Sequence, residues 1–475
     1  MKDDKMVEYD TFPFGEASET HVSMDTHETG LNNNMLVVGG TGAGKTCSTA
    51  YPMLMHLEHG NAVGIFTKRG MTESIGKLLK KRGYQIYELD FVHPEKSPYG
   101  YDPLVHCLDD ADLVAMSHFI INAGEKKTLS NDPFWNDSAE SLLTPILRYV
   151  RSGAYKKGHT MNEALQLIDS IPFTGESVWE DVLDAKPDKE KDTADELTLE
   201  VSFDDNPWGI NPRHEHKVGD DEKEVLKEAD PQKKQLMLRE LRAMMETDLV
   251  GGAAWTSVIR GSDQTRKSIM MSLITPIQAL FSKKVRRILQ QPKEFSFKKL
   301  LKPKTVLFVY ISPVNPAIHQ FVSIFYQQLF KNLFELAEDR KEGVLPYPVY
   351  VLCDDFATGA PIKDFPELIS IFRAKGISTT MLIQSETQLA SLYGPDGAKT
   401  IVNNSDTYIF LGGMDIDTCV NVARRMDVPY TDILNMPIGR EIFFRRGQKP
   451  IVTKRYNLTH DPLFESWKDK GSLRQ

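Results

Sequence analysis

Gly39-Gly40-Thr41-Gly42-Ala43-Gly44-Lys45-Thr46 follows the apolar run Met35-Leu36-Val37-Val38 and precedes a helical pattern over Ser48 to His56. A glycine, four residues, then Gly-Lys-Thr is the phosphate-loop pattern, and strand, loop, helix is the setting it requires. The glycines allow a tight turn that aims backbone N–H groups at phosphate oxygens. Lys45 has the reach for β- and γ-phosphates, and Thr46 offers a hydroxyl to Mg²⁺. The helix that follows adds its positive end. The stretch Gly39, Gly40, Thr41, Gly42, Ala43, Gly44, Lys45 and Thr46 is therefore the expected cradle for ATP and Mg²⁺. A glycine-rich turn that binds nothing is the bland alternative, and the agreement of pattern and setting argues against it.

Working outward, 475 residues allow about two or three domains. With 41% hydrophobic and 26% charged residues, the composition is that of an ordinary soluble chain with material for a large core. No stretch approaches the roughly 18 apolar residues of a membrane span, and Met1 to Asp10 is too polar for a secretory signal. Cys47, Cys107, Cys353 and Cys419 lie far apart and read as reduced thiols. The net charge of -9 argues against a wholly basic surface that coats nucleic acid, while leaving room for a local basic groove.

Strand and helix alternate at both ends of the chain. Asn61 to Phe66 and Tyr84 to Phe91 read as strands around a helix over Thr72 to Arg82. From about Asp109 to Leu280 the apolar spacing is mostly helical, as over Ser138 to Tyr149, Lys233 to Met245 and Ser268 to Phe281. Asp181 to Glu200 is heavily charged and reads as a solvated linker or exposed helix, with a partner-binding segment as the other reading. Strand patterns resume at Thr305 to Ile311, Tyr347 to Cys353, Thr379 to Ile383 and Thr407 to Leu411, with a long helix over His319 to Asp339. Met436 to Thr453 resembles two antiparallel strands turning at Arg446-Gly447-Gln448. The simplest architecture is one α/β nucleotide-binding domain built from residues 1–104 and 301–475, with an all-α domain inserted at 105–300. Two consecutive domains are the alternative.

Hydrolysis also requires an oriented metal and a positioned water. Tyr350-Val351-Leu352-Cys353-Asp354-Asp355 delivers two carboxylates at the end of an apolar strand, where open α/β sheets place ligands. Asp354 is assigned to Mg²⁺, through water, and Asp355 to the attacking water; helix capping is the competing role. Gln384 ends the strand Thr380-Met381-Leu382-Ile383, beside the expected γ-phosphate or as a plain polar strand end. Arg373 is either a surface helix residue or a finger reaching a neighbouring subunit's γ-phosphate. The expected catalytic set is Lys45, Asp355, Gln384 and Arg373, with Thr46 and Asp354 for the metal.

Together these residues resemble the type IV coupling proteins, ATPases that feed DNA or protein substrates to conjugative and type IV secretion channels. The resemblance spans Ser23-Met24-Asp25-Thr26 to about Phe464. It includes Thr29-Gly30-Leu31-Asn32-Asn33-Asn34 before the loop, Tyr101-Asp102-Pro103-Leu104, and Asp132-Pro133-Phe134-Trp135-Asn136-Asp137-Ser138-Ala139. It continues through Asp354-Asp355-Phe356-Ala357-Thr358-Gly359, Phe365-Pro366-Glu367-Leu368, Arg373-Ala374-Lys375-Gly376-Ile377-Ser378 and Gln384-Ser385-Glu386-Thr387-Gln388-Leu389. The loop alone is shared by many P-loop enzymes; the ordered set carries the resemblance.

The resemblance implies a RecA-like P-loop NTPase core with an inserted all-α domain, hexameric rings around a channel, and use of ATP. It implies relaxase–DNA or protein substrates, secretion-channel subunits as partners, and a place on the cytoplasmic side of the bacterial cell membrane. Arg373 falls where the family has a candidate inter-subunit arginine, and Gln384 where it has a nucleotide-sensing glutamine. Three departures stand out. The family usually has Asp-Glu where this chain has Asp354-Asp355, and an Asp is one methylene shorter, so it needs closer approach or a water relay. No span precedes Gly39, so the expectation is a soluble chain, its anchor missing or its membrane contact supplied by a partner subunit. Phe66-Thr67-Lys68-Arg69-Gly70 stands where the family commonly has Asp-Pro-Lys-Gly after a strand. Lys283, Lys284, Arg286, Arg287, Lys293, Lys298, Lys299, Lys302 and Lys304 form a basic cluster suited to a phosphate backbone or to solvent. The competing functions are a septal or packaging-type DNA translocase, which would run on duplex DNA alone, and a nucleotide-switched adaptor that recruits substrate without moving it.

Overall fold

The computed structural model describes residues 8–122, 133–155, 158–171, 239–246, 248–312, 315–356 and 361–464. The charged segment Asp181 to Glu200, the start of the helix expected from Lys233, Asp132, and Ala357-Thr358-Gly359 lie outside the described residues. A small antiparallel hairpin, β1 (Thr11–Pro13) and β2 (His21–Ser23), precedes the short α1 (Thr26–Thr29). The main sheet then begins with β3 (Met35–Val38), β4 (Asn61–Phe66) and β5 (Gln85–Asp90), separated by α2 (Tyr51–Met55) and α3 (Met71–Lys81). Helices follow: α4 (Asp110–Asn122), α5 (Pro133–Arg151), α6 (Met161–Asp169), α7 (239–246), α8 (Leu249–Arg260), α9 (Asp263–Leu280) and α10 (Lys283–Leu289). The chain returns to the sheet through β6 (Thr305–Tyr310), α11 (Pro316–Glu338), β7 (Val349–Cys353), α12 (Phe365–Lys375), β8 (Ile377–Ile383), α13 (Glu386–Asn403) and β9 (Thr407–Phe410). It closes with α14 (Ile416–Met426), α15 (Tyr430–Leu434) and the hairpin of β10 (Arg440–Arg445) and β11 (Ile451–Lys454).

The nine-stranded sheet runs β11-β10-β9-β3-β8-β7-β4-β6-β5. From β9 to β5 every pairing is parallel; only β10 runs against the rest, and β11, antiparallel to β10, points the same way as the others. Strands from the two sequence segments interleave, with β7 and β8 between β3 and β4 and β6 between β4 and β5. Each segment therefore leaves unpaired strand edges that the other fills.

Strands β3, β4, β6, β7 and β8 are buried along their whole length. That explains their continuous apolar runs, since a parallel sheet is covered on both faces. Leu36 and Val38 point into a core shared with α4, α5, α9 and α11, whereas Met35 and Val37 point into a second core with the β1–β2 hairpin, α2 and α3. The edge strand β11 alternates half-buried and exposed residues, as one covered face requires.

The marker Tyr101-Asp102-Pro103-Leu104 joins sheet to helices. Tyr101 is fully buried, and its hydroxyl donates to Gln328 Oε1 of α11 at 2.5 Å. The Asp102 carboxylate accepts from the backbone N–H of Leu104, Val105 and Met161, capping α6. Among the described residues no helix is long and apolar enough to cross a membrane. The four cysteines are free thiols.

Candidate nucleotide site

β3 ends at Val38 in the middle of the sheet, and the chain turns straight into the glycine loop. Gly39 N–H donates to the Ile383 carbonyl of β8 at 3.1 Å, and Gly40 N–H to the Gly412 carbonyl beyond β9 at 2.9 Å. The loop is thus tied to both neighbouring strands. Gly42 and Gly44 have φ of +79° and +89°, a region glycine enters without strain. At Gly44 a Cβ would also lie 2.6 Å from Arg455 Nη1. The residues after the loop, Thr46–Ala50, form a π-helical turn before α2 begins. Apolar spacing alone reads this as ordinary helix, because a single wide turn barely alters the pattern.

Lys45 is 8% exposed and folded back on the loop. Its ammonium donates to the carbonyls of Gly39 at 2.7 Å and Gly40 at 3.3 Å. Burial lowers its pKa, the charges of Asp355 and Asp354 oppose that, and Lys68 reinforces it. The Thr46 hydroxyl donates to the Asp354 carboxylate at 3.1 and 3.3 Å. Burial, then the charge of Asp355, push the Asp354 carboxyl up to about 6, against the Thr46 hydrogen bond and the Lys45 and Lys68 charges.

Asp355 adopts φ +51°, a conformation Asp tolerates better than most residues. Its Oδ2 accepts from the Thr67 hydroxyl at 3.0 Å. The two carboxylates therefore take different partners, Asp354 the phosphate-loop hydroxyl and Asp355 the residue just after β4. Gln384 is exposed at the end of β8, between the strand that carries the loop and the strand that carries the acids, and its N–H donates to Gln388 Oε1 at 3.2 Å.

Arg373 lies elsewhere. It is exposed near the end of α12, where its Nη2 donates to the Thr26 carbonyl at 3.3 Å. It precedes β8, whereas Gln384 follows it. The 7 residues of that strand, a span of about 23 Å at ~3.3 Å per residue, lie between the two. One chain thus brings together Lys45, Thr46, Asp354, Asp355 and Gln384 but not Arg373.

The basic cluster is likewise divided. Arg286 pairs with Asp169 at 2.6 Å, Lys299 sits over the rings of Tyr87 and Tyr99, and Lys304 donates to the Arg82 carbonyl. Lys68 contributes to the field at Lys45 and Asp354, while Arg69 pairs with the buried Asp90 at 2.5 Å. Sequence reasoning missed Thr67 as a partner of Asp355, and Arg455, whose guanidinium donates to the Ala43 carbonyl. Nothing local in Val452-Thr453-Lys454-Arg455-Tyr456 marks it.

The residues fit a phosphate chain and a hard divalent cation. Left-handed glycines form the cradle, a buried ammonium stands in it, and a hydroxyl meets a carboxylate. One carboxylate with a hydroxyl, completed by phosphate oxygens, is the oxygen-rich set that Mg²⁺ takes.

The family model for type IV secretory system conjugative DNA transfer matches residues 4–427. The chain belongs to that family. No curated protein matches the sequence. Solved structures similar to this member of the family include the bacterial conjugative coupling protein TrwBdeltaN70 in complex with sulphate. It is 16% identical, with TM-score 0.56, over 90% of this chain and 86% of that one. The plasmid coupling protein TrwB in complex with ADP and Mg²⁺ is 15% identical, with TM-score 0.57, over 95% of each chain. VirB4 of Thermoanaerobacter pseudethanolicus is 11% identical, with TM-score 0.52, over 96% of this chain and 98% of that one. These likenesses establish the fold, a RecA-like α/β core with helical insertions.

Proposed function

We propose that this family member is an Mg²⁺-dependent ATPase that recruits relaxase–DNA or protein substrates and drives their transfer to a type IV secretion or conjugation channel. The observation that carries the reading is the Thr46–Asp354 contact, which joins the phosphate loop to the acidic strand across 308 residues. Family membership supplies the transfer context, and TrwB's complex with ADP and Mg²⁺ supports the choice of ligands.

Bound Mg²⁺ would neutralise phosphate charge, held by Thr46 and, through water, by Asp354. Lys45 exchanges its two loop carbonyls for phosphate oxygens. Asp355, steadied by Thr67, orients and takes the proton of the attacking water, and Gln384 reads the γ-phosphate between loop and acids. Arg373 serves a neighbouring subunit's site, in keeping with its distance from its own, which gives hydrolysis a reason to depend on a homo-hexameric ring. The nucleotide-binding unit comprises 1–104 and 301–475, with 105–300 as the inserted domain. The assembly works on the cytoplasmic side of the membrane, attached by an anchor or a partner subunit.

The test is Mg²⁺-dependent phosphate release by the assembled protein with DNA and its cognate relaxase, alongside a conjugative transfer assay. Both should collapse with Lys45→Ala while relaxase binding persists. Undiminished transfer with that variant would defeat the motor reading. Full activity on duplex DNA alone, without relaxase binding, would replace it with a free DNA translocase.

A further inference from the structure

Opposite the acids, on the β9–β10–β11 flank, the loop meets a second charged device. The backbone of Arg455 is fixed from two sides. Its N–H donates to the Gly439 carbonyl at 3.0 Å, and it bridges Gly15, while neighbouring Tyr456 N–H donates to the Phe14 carbonyl at 3.0 Å. This aims the side chain at the phosphate loop, where it donates to the Ala43 carbonyl and lies against Gly44. Behind it Glu441 is 1% exposed, and its Oε1 has no hydrogen-bond partner among the described residues.

We propose that Arg455 is a positioning residue of the phosphate loop, and that Glu441 sets how much of its charge reaches the loop, so that the carboxyl-terminal hairpin tunes nucleotide affinity. This rests on the reading of the loop as a nucleotide site. Asp354, Asp355 and Gln384 approach from the β8–β7 flank, where the γ-phosphate is cleaved. Arg455 grips the loop from the other flank, so it acts on di- and triphosphate alike and hardly on bond cleavage.

Glu441 pairs in register with Thr453 and packs against Gly15; a Cβ there would lie 2.7 Å from Oε1. Burial pushes the Glu441 carboxyl up to about 8, and Arg455 is the charge that pulls it back. A neutral Glu441 leaves the guanidinium charge to the loop. An ionised one competes for it.

The experiment measures the Kd of MgADP and the KM and kcat for ATP in the full chain, with thermal midpoints recorded without nucleotide. Losing a charge-assisted hydrogen bond, Arg455→Ala should weaken MgADP by about 10-fold. The saturating turnover should fall much less, and Arg455→Lys should recover part of the affinity. The ratio of wild-type to Glu441→Gln Kd should rise from neutral to mildly alkaline pH. If Arg455→Ala fails to fold, Arg455→Lys and Glu441→Gln decide by the same readouts. Variants that bind MgADP like wild type, while Lys45→Ala loses it, would overturn the proposal and leave the nucleotide reading intact. A wild-type chain that binds no nucleotide would overturn both.

Discussion

Replacing Lys45 with methionine separates its cost to the fold from its value to the ligand. This buried ammonium has two carbonyl partners, at 2.7 and 3.3 Å. Hydrogen bonds to a charged group contribute about 1.5–3 kcal/mol each, whereas desolvating an ammonium costs several kcal/mol. Burial is the largest influence on Lys45 and lowers its pKa despite two nearby carboxylates, so the cost prevails. Met matches the length of the chain and its helix propensity, and removes that cost. Unliganded Lys45→Met should therefore melt no lower than wild type. The order should reverse with ligand. At about 100 times its Kd, MgADP adds about 2.7 kcal/mol to wild type. Scaled to a chain of 475 residues, that is about 3 °C in Tm. The variant at the same concentration should gain almost nothing. Differential scanning calorimetry with and without MgADP reads both arms. A Lys45→Met protein that melts well below wild type without ligand would show that Lys45 is a structural tie and refute the reasoning. So would an undiminished ligand shift.

Asp355→Asn should abolish most hydrolysis and leave nucleotide affinity largely intact, checked by phosphate release against isothermal titration; normal turnover would remove its role. Gly44→Ala combines a strained φ of +89° with a Cβ 2.6 Å from Arg455 Nη1, so MgADP affinity should fall about 10-fold, ~1.4 kcal/mol within the roughly 1–3 kcal/mol of backbone strain, as titration would show. For Glu441, a carboxyl raised to about 8 favours the fold below its unfolded pKa near 4.5, and that stability is lost as pH rises through about 8. Wild type should therefore lose Tm against Glu441→Gln between about pH 4.5 and 8 and level off above it, and melting curves parallel across that window would contradict this. Rings mixing Arg373→Ala with Asp355→Asn subunits should recover turnover only at junctions where an intact arginine faces an intact acid; no recovery at any mixing ratio would count against a shared site.

The legible parts of this chain are those encoded over a few residues. The glycine spacing of the loop is local, and so is an apolar strand ending in Asp354-Asp355. Pairing order is not. Nothing in Thr305–Tyr310 says that it lies between β4 and β5, because buried parallel strands carry the same apolar run whichever neighbours they take. Arg455 is hidden for the same reason, since its meaning comes from a loop 412 residues away. The basic cluster erred in the opposite direction. Charges adjacent in sequence read as one surface, but Arg286, Lys299 and Lys304 are each held by different elements.

The Asp355 departure shows how one position combines both kinds of information. By length alone, an Asp where the family usually has Glu leaves the carboxylate short of its task. The structure gives this Asp a left-handed backbone and a hydroxyl partner on β4's exit, Thr67. A short side chain suits that backbone better than a long one, and the Thr67 bond fixes a rotamer that a flexible Glu would have to be held in. Thr67 in turn belongs to Phe66-Thr67-Lys68-Arg69-Gly70, the other stretch that departs from the family pattern. The two departures meet at 3.0 Å, so the residue after β4 supports the shorter carboxylate directly.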